Sequence, residues 1–166
     1  MRDVEYNRDA AVSYAHTWAY KRNPRYADFA GMGGDCTNFV SQALYAGSGI
    51  MNYTPTFGWY YRNINDRAPA WTGVQYLYNF LTTNKGVGPV AVTADLGTVE
   101  PGDVVQLSFD GSRFAHTAII VAVSGSPPTP GTVLVAAHEI DCDYRPLDTY
   151  IYQRVRFLHI THVRKW

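Results

Sequence analysis

The sequence predicts an α+β domain in which N-terminal helices pack on an antiparallel β-sheet. Three observations lead there. Apolar residues recur at helical spacing through the first half of the chain, and the period shortens to that of strands from Glu100 onward. Asp110-Gly111 then stands between two apolar strands, as in a hairpin turn. Helices first and an antiparallel sheet second is the order of an α+β fold. At 166 residues the chain can close a core of its own. It reads as one domain over 1–166, with no internal repeat and no linker long enough to divide it.

The elements follow in order. Residues 8–22, RDAAVSYAHTWAYKR, set Ala11, Val12, Ala15, Trp18 and Ala19 on one helical stripe that Asn23-Pro24 ends. After a glycine-rich turn at 31–34, a second helix runs from about Cys36 to Tyr45. Phe39, Val40, Ala43 and Leu44 keep its spacing, and Gly47 is its expected stop. Residues 48–70 are irregular and aromatic, a long loop lining a surface, with Trp59 and Tyr60 as candidates for substrate contact. A third helix, WTGVQYLYNFLTTNKG, turns Val74, Leu77, Phe80 and Leu81 inward and ends near Gly86. Both faces of HTAIIVAV are apolar, so this strand should be central and buried. SGSPPTPGT at 124–132 is a break, VLVAAHEI is the next strand, and TYIYQRVRFLHITHV supplies one or two more.

Composition excludes several classes of function. Acidic and basic residues balance at 14 each, so composition gives no hint of the basic face that a nucleic-acid binder displays. The basic tail around Arg154, Arg156, Arg164 and Lys165 reads as a solvated strand face. No apolar run approaches the roughly 20 residues of a membrane-spanning helix. The start, MRDVEYNRDAA, has no signal-peptide core, so a cell-envelope or secreted location follows only if a leader has been removed. The 13 Tyr, 7 Phe and 4 Trp suit the lining of a peptide or sugar cleft, and equally a core.

Cys36 begins its helix, where free N–H groups and the helix dipole favour a thiolate and can bind an oxyanion. Asp35 is the N-cap candidate there and, with Trp59 and Tyr60, a candidate for substrate contact, and Gly31, Gly33 and Gly34 leave room for a substrate. A buried inert cysteine is the competing reading. A nucleophile needs a base, and His116 opens the buried strand. Across the 124–132 break His138 falls close to opposite His116, which would set two imidazoles side by side unless the register slips by one. Glu139, Asp141 and Asp143 are carboxylates that could orient the base instead of His138. Cys36 and Cys142 allow one disulfide, and with His116 and His138 they allow a scattered metal set that lacks any ligand-pair spacing. GMGGDC lacks the Lys-Ser/Thr pair of a phosphate loop.

Several stretches together resemble a known family. YNRDAAVSYAHTWAYKRNPRYADFAGMGGDCTNFVSQALYAGSG, PGDVVQLSF, AHTAIIV and VAAHEID, in that order, are similar to the bacterial "putative amidase domain", of the papain-like group of NlpC-type and CHAP cell-wall peptidases. The resemblance runs from about Tyr6 to Asp148. It implies a papain-like fold with Cys36 as nucleophile, His116 as base and His138 as the third polar group. The glutamine that papain-type enzymes place before the cysteine has no counterpart, since position 30 is Ala30, so the oxyanion would rest on backbone N–H groups, including that of Cys36, with or without a further side chain. A cysteine amidase or peptidase acting on peptidoglycan or its peptide fragments is therefore expected, as a monomer and without cofactor or metal. An acyltransferase with the same triad, or a non-catalytic wall- or peptide-binding module, are the alternatives.

Overall fold

Asn7 starts the first helix: its Oδ1 accepts the N–H of Ala10 at 3.0 Å. The structure, a computed structural model, describes all 166 residues. β1 (Arg2–Val4) precedes α1 (Arg8–Trp18), which stops four residues short of the expected end. Next comes α2 (Cys36–Ser48). It passes through Gly47 and ends at Gly49, whose φ of 69° lies in the left-handed region. Gly47 is instead a packing position. A Cβ there would meet Tyr6 Cε1 at 2.5 Å and the Asn7 carbonyl oxygen at 2.7 Å.

The aromatic stretch after α2 contains a small hairpin of β2 (Tyr61–Asn63) and β3 (Asp66–Arg67). The expected third helix is broken at Gly73, which is extended (φ −113°, ψ 129°), into α3 (Pro69–Thr72) and α4 (Val74–Thr83). Pro69 suits the first turn of α3, where no N–H is needed.

The sheet is antiparallel and has seven strands: β1, β4 (Gly88–Ala94), β5 (Val104–Ser108), β6 (His116–Val123), β7 (Val133–Ala137), β8 (Cys142–Pro146) and β9 (Arg154–Lys165). Its order is β1-β9-β5-β6-β7-β8, with β4 on the other side of β9. β1, β4 and β8 were not read from the sequence as strands. All three are peripheral and short on apolar alternation.

The architecture is thus α+β, helices on antiparallel sheet, and β6 is central and buried as its apolar faces predict. One core lies between helices and sheet, joining Ala11 and Ala15 of α1, Phe39, Val40 and Leu44 of α2, and Ile119, Ala136 and Leu158 of the sheet. A second lies on the opposite face, where Leu147 and Phe157 pack with Val105, Leu107, Ile120 and Val135. No helix is long and apolar enough to cross a membrane.

Candidate active site

α2 begins at Cys36, so the amides of Cys36, Thr37 and Asn38 have no carbonyl partner within the helix. Thr37 turns back to the sheet, and its Oγ1 lies 2.9 Å from Thr117 Oγ1 on β6. Gln106 on β5 donates to the same Thr117 hydroxyl at 3.2 Å and to the Val74 carbonyl at 2.9 Å. The helix start is thereby tied to the strand that His116 opens. Cys36 and His116 each sit one residue before the two threonines that touch.

The Cys36 thiol is buried, with Thr37 Oγ1 at 3.8 Å from Sγ. Burial pushes it above the ordinary cysteine range. The Thr117 and Thr37 N–H groups and the Thr37 hydroxyl pull it back, and the Glu139 charge raises it further. His116 is buried against Tyr150, with ring centroids 5.4 Å apart, and its Nε2 has no hydrogen-bond partner. Burial, and secondarily the Arg145 charge, lower it to about 4. No hydrogen bond joins Sγ to His116. Cys36 opens into a cleft of about 420 Å³ between the 72–76 and 112–115 segments. His116 lines an adjoining cavity of about 370 Å³, and Ala115 and Glu139 border both.

The expected side-by-side histidines do not form. β6 and β7 pair Ile119 with Ala136 and Ile120 with Val135, a register that, continued past the end of β7, brings His138 opposite Thr117 rather than His116. This is the one-residue slip that turns the two rings to opposite faces. His138 faces the helices and stacks on Phe39 at 4.1 Å. Its Nδ1 lies 2.5 Å from Asp35 Oδ2, and its Nε2 lies 2.8 Å from the Trp18 carbonyl oxygen and 3.2 Å from Arg22 Nη1. Both nitrogens are engaged on this face, and neither bonds to His116.

Asp35 occupies the cap position of α2, yet its side chain caps no helix N–H. The carboxylate is directed inward, accepting from the Phe29 N–H (2.8 Å) and Asn38 Nδ2 (2.9 Å) as well as from His138. Burial alone would raise its pKa. The bonds from His138, Asn38 and Phe29 outweigh this and hold it below the usual carboxylate range. Arg22 closes the group, donating to both oxygens of Asp141 at 2.9 and 3.1 Å, with Nε 3.5 Å from Asp35 Oδ2. Asp141 is thus committed to Arg22.

The other candidates lie elsewhere. Trp59 is fully enclosed, its Nε1 donating to Ser41 Oγ at 3.0 Å, and presents no surface to a ligand. Tyr60 donates to Asp66 and lies outside the Cys36 cleft. Asp143 pairs with His16 at 2.7 Å. Both cysteines are free, and Cys36, His116, His138 and Cys142 do not converge into a ligand set. Sequence reasoning missed Arg22, Thr37, Thr117 and Gln106. Only the threonines carried a signal, each following a residue already singled out.

The model of the family described as "putative amidase domain" matches residues 5–161. The uncharacterized protein YhbB of Bacillus subtilis (strain 168) is 37% identical over 125 residues, which make up 73% of this chain and 39% of that protein. The uncharacterized protein YjcM of the same strain is 30% identical over 125 residues, 70% of this chain and 28% of YjcM. The chain spans less than half the length of these curated relatives. No solved structure matches it.

Proposed function

Since the chain belongs to the "putative amidase domain" family, we propose that it is a cysteine amidase or peptidase that hydrolyses amide bonds of bacterial peptidoglycan. Cys36 is the nucleophile and His116 the general base. We read the fold as papain-like, of the NlpC and CHAP group, with the nucleophile's helix start held against the strand that the base begins. The observation that carries the reading is the Thr37–Thr117 bond, which brings the start of α2 to the start of β6.

In the resting protein both groups are neutral, a thiol raised and an imidazole lowered by burial. His116 opens β6 on the face away from α2, packed on Tyr150, and its Nε2 has no bond to break when the ring swings round the strand end toward Sγ. With substrate in the cleft it takes the thiol proton as Sγ attacks the carbonyl carbon. The oxyanion is met by the free amides at the start of α2. His116 then donates the proton to the leaving amine, and water activated by the same ring releases the acyl group from Cys36. His138 contributes through Asp35, fixing the first turn of α2 rather than the ring of His116.

Digestion of purified peptidoglycan, with mass spectrometry of the released fragments, tests this. The intact protein should release fragments with a new amine and a new carboxylate, and Cys36→Ala should release none. Hydrolysis by Cys36→Ala at the wild-type rate would end the proposal.

A further inference from the structure

Glu139 follows β7 by two residues with φ +73°, and Ile140 after it has φ +56°, a left-handed pair with no glycine. The turn carries the Glu139 side chain over Gly34, where a Cβ would come within 2.6 Å of Oε1. Oε1 accepts the Asp35 N–H at 2.5 Å. Oε2 has no partner. Of the residues lining the Cys36 cleft only Glu139 and Arg113 are charged, and the Arg113 guanidinium makes no hydrogen bond or ion pair. Glu139 belongs to the Cys36 side of the cleft, packed on Gly34 and bonded to the residue before the nucleophile. Arg113 lines the same cleft from the 112–115 segment.

We propose that Glu139 sets the charge preference of this cleft, selecting substrates that carry an ammonium group beside the scissile amide and rejecting those with a free carboxylate there. The inference rests on Cys36 as the reacting group. Oε1 is held in place by the backbone, so the free Oε2 is presented without rearrangement. Its negative charge also adds to the elevation of the thiol.

Alkylation of the full chain tests it without a natural substrate. Iodoacetamide, iodoacetate and 2-bromoethylamine each form an S–C bond to Cys36 and expel halide, and they differ in charge. Peptide mass mapping reads Cys36 with Cys142 as internal reference. Glu139→Gln keeps an Oε1 acceptor for the Asp35 N–H and removes the charge. At low salt it should raise the iodoacetate-to-iodoacetamide rate ratio at Cys36 by about 3- to 10-fold and lower the bromoethylamine ratio, both effects shrinking in high salt. Unchanged ratios, or ratios that move only in Arg113→Gln, overturn the proposal, as does failure of all three reagents to reach Cys36.

A second arm uses peptidoglycan before and after acetylation of its free amines. Acetylation should slow fragment release by the wild type and leave Glu139→Gln indifferent; equal slowing of both overturns the proposal. If Cys36→Ala digests as well as wild type, the proposed hydrolase reading fails, while the alkylation ratios still decide the charge preference.

Discussion

Burial governs the resting chemistry of Cys36 and His116. With the thiol elevated and the imidazole lowered to about 4, no thiolate–imidazolium pair exists before substrate arrives. The iodoacetamide rate at Cys36 should therefore climb about tenfold per pH unit through neutrality. A plateau extending below pH 6 would instead reveal a preformed ion pair. On the proposed mechanism, Cys36→Ala and His116→Ala should each lower fragment release by about a thousandfold or more, since the two would act as a unit. His138→Ala should behave differently. It strips a buried carboxylate of a partner, so urea unfolding should show a loss of about 2–4 kcal/mol. The His116 titration midpoint, read by NMR, should stay in place. A displaced midpoint would restore the direct contact that the sequence suggested. The actual placement of His138 was illegible for a definite reason: the 124–132 break hides the register, and one residue of slip exchanges the faces.

Among the elements, α2 was the most legible and the most instructive. Its start at Cys36 and its apolar face were plain in DCTNFVSQALY, because helical spacing is a local property. Its stop was misplaced because Gly47 and Gly49 look alike in sequence. Only the proximity of Tyr6 and the Asn7 carbonyl shows that Gly47 serves packing. Gly47→Ala should cost about 1–3 kcal/mol by urea unfolding, since a backbone carbonyl cannot yield as a flexible side chain does. Full stability would place Tyr6 farther away. The break at Gly73 was equally hidden: the apolar spacing continues through it, and only the extended backbone divides α3 from α4. Loss of the Thr37–Thr117 bond should show in a double-mutant cycle with Thr37→Val and Thr117→Val as a coupling of about 1 kcal/mol. Additive changes would leave the two elements held by the apolar core alone.

Across the whole molecule, two apolar layers bury both faces of β6, and this sets the response to acid. His116 binds its proton at about 4 when folded against an ordinary 6.5. Between those values the unfolded chain holds more protons, so stability falls as pH drops from about 6.5 to about 4, by about 3 kcal/mol at most. Asp35 is depressed, and its contribution is lost in a lower window, as pH falls through its folded value. Replacing His116 by Asn should flatten the dependence of unfolding free energy on pH between 4 and 6.5; an unchanged slope would mean the ring is not buried neutral. The α+β class, the helix that presents Cys36 and the two-sided burial of β6 were determined by the sequence alone, because each rests on residue periodicity within a short window. The partner of His138, the position of Glu139 beside the cleft, the enclosure of Trp59 and the tie from Thr37 to Thr117 were decided only by tertiary structure. Each depends on strand register or on contacts between residues far apart in the chain, and local spacing carries no information about either.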